Sequence, residues 1–335
     1  MHLSSVALLG AFISGVVGAP SPSNVAPRQY GSGGKTFVNI GQNYHSEWAG
    51  FEQNIKTPAG ISLYGGIYEG ALNPESQDLL KRYAAEHSGY VVIGLSWKDA
   101  MMMHGYTQYQ GAQLCRDISG GKFDAELEKL SAYLAKYPNV KYLLRPDYEV
   151  SGNLHANTDA NTFNQQTMDW EAYPAAFRHI RSKLKSCGNI QYVFHTVRGE
   201  AEKLYPGDEY VDFIGLSIFN NDVCVPVAST INCPDAIEDP NIVKDIKWAP
   251  KPVLIAESTV QPPFAGSAEQ FIEYLTRVKQ LIVKHDIVGW TYINSLWTAH
   301  GWTGDTWGDS RIEASEQVKQ WFMNEIVGDE RFVFG

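Results

Sequence analysis

Basic residues are scarce in this sequence, and none of them form a run. Lys and Arg number 27 against 37 Asp and Glu, a formal net charge of −10. A surface of that sign repels phosphate backbones, so nucleic acid is excluded as an expected partner. Long apolar stretches are missing too: no segment reaches the roughly 18 uninterrupted apolar residues of a membrane span. Cysteine is rare, with four in 335 residues, and no two stand as C-x-x-C, which argues against a zinc knuckle or a redox pair. There is no Gly-x-Ser-x-Gly elbow and no His-Glu-x-x-His, so serine-hydrolase and zinc-peptidase chemistry have no carrier. His45, His87, His104 and His155 are scattered, and Met101-Met102-Met103-His104 reads as a loop packed on its surroundings rather than a copper site. No metal and no cofactor are expected. Asn-x-Ser/Thr sequons are absent as well, so N-glycans are not expected.

What is present begins with an address. Residues 6–17 are apolar, and Val16-Val17-Gly18-Ala19 offers small residues for cleavage after Gly18 or Ala19, although only His2 precedes the run as a possible positive charge. The Pro- and Ser-bearing stretch to Arg28 reads as a leader, giving a signal peptide and leader over 1–28 and one domain over 29–335. The chain is expected to be secreted and extracellular, and monomeric. In an oxidising compartment an even number of cysteines is read as disulfides. Cys224 and Cys233 flank a short Pro-bearing loop and are paired, which leaves Cys115 with Cys187.

From residue 35 onward, short β-branched runs alternate with amphipathic stretches. Strands are expected over 36–40, 61–68, 90–95, 140–144, 190–195, 211–216, 252–256 and 287–293, with helices including 123–137, 170–185, 268–285 and 313–326. In the first helix Leu127, Leu130, Leu134 and Tyr137 recur at spacings of three and four, a single buried stripe. Eight strand–helix units imply parallel pairing through right-handed crossovers, and the fold class is α/β, a (β/α)8 TIM barrel in a single domain. A doubly wound open sheet is the competing fold. It would want a Gly-rich phosphate loop after the first strand, whereas Gly31-Ser32-Gly33-Gly34-Lys35-Thr36 precedes it.

Working residues of such a barrel sit where strands end. Two glutamates do so, Glu149 after the fourth strand and Glu257 after the seventh, 108 residues apart. A lone strand-end carboxylate reads as an ion-pair partner, for instance of Arg145. Two facing one bowl read as a catalytic pair. Arg145 either holds Glu257 in its charged form or makes an ion pair under the barrel floor. Other strand ends supply Asn43 and Tyr44, Trp97, Tyr148, His195 and Arg198, Phe219, and Tyr292, Asn294 and Trp297. Aromatic faces among these suit sugar rings, and Asn, His and Arg suit hydroxyls. Trp297 is expected under the sugar at the cleavage point. The 9 Trp, 18 Tyr and 14 Phe of the chain suit a large core or a ring-stacking cleft, and Trp302 and Trp307 either anchor their Gly-rich loop or line an outer subsite.

At this point the residues resemble glycoside hydrolase family 26, within clan A of the retaining barrel hydrolases. The resemblance is carried by Gly120-Gly121-Lys122-Phe123-Asp124, Arg145-Pro146-Asp147-Tyr148-Glu149, Tyr205-Pro206-Gly207-Asp208, residues 251–258 and Trp307-Gly308-Asp309-Ser310-Arg311. It implies a retaining glycosidase acting on a polysaccharide or oligosaccharide, with Glu149 as acid/base and Glu257 as nucleophile. Retention requires the two carboxyls about 5–5.5 Å apart. Two neighbours depart from the family pattern: Tyr148 stands where His is usual, and Phe219 where an aromatic, commonly Tyr, hydrogen-bonds the nucleophile. Both departures weigh against plain β-1,4-mannan as the substrate. A carbohydrate-binding barrel without catalysis, or a transglycosidase or lyase on the same scaffold, are the alternatives. A binding-only barrel would have lost one carboxylate, and both are present.

Overall fold

The computed structural model describes residues 34–42, 44–97, 111–149, 172–184, 187–196, 201–219 and 240–335. The leader, Asn43, Met101–His104, His155, Arg198, Cys224 and Cys233 lie outside the described residues.

Eight parallel strands close on themselves. They are β1 (Thr36–Gly41), β2 (Gly60–Gly66), β4 (Tyr90–Ser96), β5 (Lys141–Pro146), β6 (Ile190–Thr196), β7 (Phe213–Ile218), β8 (Val253–Ser258) and β9 (Gly289–Ile293). Each pairs with the next, and β1 pairs in parallel with both β2 and β9, which shuts the ring. Two short strands are added outside it: β3 (Ala71–Leu72) folds back antiparallel on β2, and β10 (Phe332–Val333) runs beside β1. The (β/α)8 barrel expected from the alternation is present, and all eight expected strands are found, their limits shifted by at most two residues.

Alternation along each strand sorts the side chains. In β4, Val91, Ile93 and Leu95 face the helix-side core, while Val92 joins Leu143, Val193, Phe213, Leu254 and Ala256 in an apolar plug inside the barrel. Further along three of these strands the interior turns polar, with Arg145 two residues past Leu143, His195 two past Val193 and Ser217 four past Phe213, all buried. Polar groups are tolerated there because they meet each other.

The helix Ala268–His285 forms over the residues its periodicity marks. Ser267 caps it by accepting from Gln270 N, Asp286 ends it in the left-handed region at φ 55°, and Phe271, Tyr274, Leu275, Val278, Leu281 and Ile282 make its buried face. The stretch expected as one helix over 313–326 is broken into three. Ser315 caps the α-helix Glu316–Phe322, which leaves Ile312–Ala314 as a separate 3-10 turn, and a wide turn follows, closed by Gly328 N donating to Met323 O at 3.0 Å.

One expectation is corrected here. Cys115 and Cys187 are buried thiols, and no disulfide joins them. Cys187 donates to Asn189 Oδ1 at 3.0 Å, and burial pushes its thiol up. The two sulfurs face different neighbours, Cys115 beside Tyr173 and Cys187 beside Tyr142.

Candidate active site

Glu257 reaches the bowl through a bulge. β7 and β8 pair as Leu216 with Ile255 but then as Ser217 with Glu257, so Ala256 is the extra residue. Strict alternation from Leu254 would turn Ser258 inward. Instead Ser258 Oγ accepts from the outward-lying Trp290 Nε1 at 2.8 Å, and Glu257 takes the inward place. There Glu257 Oε1 accepts from Arg145 Nη1 at 2.5 Å and from the Tyr64 hydroxyl at 2.8 Å.

Arg145 is completely buried, and a buried cation persists only when paired. Burial alone would lower the pKa of its guanidinium, but the Glu257 charge beside it holds it above its ordinary value. Its Cζ stands 5.4 Å from the Tyr64 ring centre and 5.1 Å from that of Tyr148, within cation–π range of both rings, which meet each other edge-on. Gly94 makes room for this: a Cβ there would stand 2.8 Å from Tyr64 Cδ1 and 3.0 Å from both Arg145 Nη2 and Tyr148 Cδ1. Arg145 lies above the apolar plug and bonds Glu257.

Glu149 arrives by a turn rather than by the pleat. β5 ends at Pro146, and both Asp147, at φ 48°, and Glu149, at φ 61°, adopt the left-handed region that non-glycine residues rarely occupy. Such conformations cluster at functional sites because the surroundings must enforce them. One enforcing contact is made by Glu149 itself: the Ser217 hydroxyl donates to its Oε1 at 2.5 Å. Ser217 Oγ also lies 3.0 Å from His195 Nε2, and His195 Nδ1 lies 3.2 Å from Arg145 Nη1. Burial, then the Arg145 charge, push His195 well below its ordinary pKa. The two strand-end carboxylates are therefore ends of one continuous chain of polar contacts.

Beside this chain opens a cleft of about 340 Å3, lined by Gln42, Tyr44, Tyr64, Gly65, Gly66, Glu69, Asn73, Ser96, Tyr148 and Trp302. All stand at or beyond the C-terminal ends of strands. Tyr44 stacks on His300 with ring centres 3.4 Å apart, and His300 Nε2 bonds Glu47 Oε1 at 2.9 Å. The same Glu47 oxygen accepts from Ser295 Oγ and Leu296 N, pinning the loop after β9 to the helix His45–Asn54. This buried carboxylate has no counterpart in the expectations drawn from sequence.

The remaining expected contacts divide. Tyr44 and Tyr148 line the cleft, and Arg145 and His195 lie in the polar network. Trp97 and Tyr292 face the helices instead. Trp97 is packed against Tyr173, and Tyr292 is fully buried and donates to Ser310 O at 2.7 Å. Asn294 is buried and binds the Glu313 carboxylate and Ile312 N, which makes it a loop fastener. Trp297 is only 3% exposed. Its Nε1 donates to Ser310 Oγ, and its ring underlies Trp307 at 4.5 Å and Trp302 at 5.6 Å. The ring offered at the cleft is Trp302, 49% exposed. Phe219 follows β7 and meets Trp307 at 6.1 Å. The hydroxyl on Glu257 comes from Tyr64 on the second strand, a residue that sequence reasoning passed over although Ser62 and Tyr64 share the inward alternation of β2.

Two carboxylates joined through a buried arginine, beside an open cleft walled by tyrosines and a tryptophan, are equipped for acid–base and nucleophilic chemistry on a sugar chain. Residues 119–264 match the model of glycosyl hydrolase family 26. Beta-1,3-xylanase TXYA of a Vibrio species is 25% identical over 88% of this chain and 65% of its own length. A beta-1,3-xylanase of an Alcaligenes species is 24% identical over 86% and 63%. The chain thus spans a little under two thirds of the length of these curated relatives. Among solved structures, a β-mannanase from a symbiotic protist of the termite Reticulitermes speratus superposes with a TM-score of 0.53 at 15% identity, over 90% of this chain and 88% of that one. That likeness supports the barrel.

Proposed function

We propose that this chain, a glycoside hydrolase family 26-like member of clan A, is an exported retaining glycosidase that cleaves a neutral β-linked polysaccharide by double displacement. The observation that supports it most is the shared network: Glu257 is held by Arg145 and Tyr64, Glu149 is held by Ser217, and both stand at strand ends beside the cleft. Glu257 attacks the anomeric carbon while Glu149 gives its proton to the departing glycosidic oxygen. The aglycone leaves with that proton, and a glycosyl ester on Glu257 remains. Glu149, now a carboxylate, takes a proton from water, whose oxygen displaces Glu257 and restores both groups. Export rests on the apolar run 6–17 and its small-residue end, and the N-terminus of the protein recovered from medium checks it.

For the substrate, β-1,3-xylan comes first. Both curated relatives named above are beta-1,3-xylanases. The described cleft lining carries one carboxylate, Glu69, and no cation, which suits an uncharged glycan. Tyr148 also offers a phenol hydroxyl in place of the imidazole nitrogens that histidine would present to a sugar hydroxyl, and a hydroxyl left unmatched by that change costs binding in the transition state. The expected result is kcat/KM on β-1,3-xylan at least about tenfold above that on β-1,4-mannan, on the order of 1.4 kcal/mol of discrimination. Reducing-end release measured on both polymers tests it. A tenfold preference for mannan would overturn the substrate, though not the chemistry.

A further inference from the structure

The polar contacts between the two carboxylates have a direction, and donor chemistry fixes it. A guanidinium has only donors. His195 Nδ1, 3.2 Å from Arg145 Nη1, must therefore accept, which places the single ring proton on Nε2. Nε2–H then donates to Ser217 Oγ at 3.0 Å, and the Ser217 hydroxyl, its oxygen already occupied as acceptor, donates to Glu149 Oε1 at 2.5 Å. All three intermediates are buried in the barrel, on three successive strands, β5, β6 and β7. Reversal would need an imidazole proton on Nδ1 pointing at the arginine cation.

We propose that Ser217 and His195 are positioning residues for Glu149, forming a one-way hydrogen-bond chain from Arg145 that ties the acid/base to the ion pair on the nucleophile. The proposal rests on the reading of Glu149 as acid/base and adds residues and a sign to it. A donor on Oε1 leaves the transferable proton on Oε2, so the chain selects which oxygen protonates the glycosidic bond. The same donor stabilises the carboxylate form more than the acid form, because a charge-assisted bond is about twice as strong as a neutral one. It therefore readies Glu149 to act as base in the second half of the reaction. Arg145 supplies the positive end that makes this donation directional.

Other charged or titratable groups face the same centre. They are Glu257 from β8, Tyr64 from β2, and Tyr148 and Asp147 beside Glu149 itself. Tyr148 stays protonated, its pKa raised by burial and then by the Glu257 charge. Removing the Ser217 hydroxyl touches none of these groups directly; it takes the donor from Glu149 and the acceptor from His195 Nε2, both of them bonds of the same chain.

The test is the pH profile of kcat/KM on the best polysaccharide for Ser217→Ala, His195→Ala and the double variant. The basic limb of that profile reports the acid that must be protonated. Loss of the donor removes stabilisation of the carboxylate, so the limb moves to higher pH, by about one unit for Ser217→Ala and by less for His195→Ala. The double variant shows the Ser217→Ala shift and no more, because the two residues belong to one chain. The acidic limb stays in place, and the second half-reaction slows. A merely structural role would lower activity evenly across pH and leave the basic limb unmoved, which would overturn the proposal. So would additive shifts in the double variant. Should Glu149→Gln retain full activity, it is the acid/base reading itself that fails, and the two failures are thereby told apart.

Discussion

Glu257→Gln is expected to lower kcat on the best polysaccharide by a factor on the order of 10^4 to 10^6, the scale on which losing a covalent nucleophile disables a hydrolase. The amide keeps the shape of the side chain and can still accept from Tyr64, but it has no charge with which to form the glycosyl ester. A second consequence follows from burial. Arg145 has no exposure, and Glu257 is the carboxylate that pairs with it. Removing one partner of a buried pair destabilises by roughly 3–5 kcal/mol, because the remaining charge is uncompensated. Inactivity and a lowered Tm are therefore expected together, and activity must be measured at a temperature where circular dichroism shows the variant folded. A folded Glu257→Gln protein that keeps more than about a hundredth of the wild-type kcat would exclude Glu257 as nucleophile.

Glu149→Ala is expected to behave differently. General acid catalysis contributes roughly 10^2 to 10^4-fold, and it matters most when the leaving group is poor. On polysaccharide, kcat/KM should fall within that range. On an aryl glycoside whose leaving phenol needs no proton, the first step should be nearly spared, and the glycosyl ester should accumulate because no base activates water. Azide needs no base, so it should restore turnover and give the glycosyl azide with the configuration of the substrate. The fold should be less affected than by Glu257→Gln, since Glu149 projects from a turn after β5 and the buried Arg145 keeps Glu257 as its partner. Equal losses on polysaccharide and on the activated glycoside, with no response to azide, would remove Glu149 from the acid/base role.

Much of the scaffold was legible in the sequence because burial on both faces writes parallel strands as continuous apolar runs, such as Tyr90–Ser96, bounded by amphipathic stretches. Both carboxylates were legible for the same reason: each follows closely on such a run, Glu257 directly and Glu149 just beyond Arg145 and Asp147. The side on which a residue lies was harder. Tyr292 follows a strand start as neatly as Tyr64 does, yet it alternates outward to meet Ser310 O, and Trp97 likewise turns to Tyr173. Counting by twos would place Ser258 inward, and only the bulge at Ala256, invisible without the partner strand, aims Glu257 at the bowl. Phe219 was read as a missing hydroxyl. The structure supplies a hydroxyl to Glu257 from Tyr64, 193 residues from that glutamate in sequence, a distance across which no local pattern reports. The Cys115–Cys187 pairing, reached by elimination, ignored that a cysteine on a helix and one in the turn before β6 can each be an ordinary buried thiol.

Double displacement by Glu257, with Glu149 as its acid/base, is read from the configuration of the first product released. Proton NMR of a short β-linked oligosaccharide is followed during the first minutes of hydrolysis, before the new reducing end mutarotates. Two inversions at the anomeric carbon predict that the β-anomer appears first and the α-anomer grows only later, at the uncatalysed rate. Initial release of the α-anomer would mean a single displacement by water, with Glu257 acting as a base, and would rule out a glycosyl ester on Glu257.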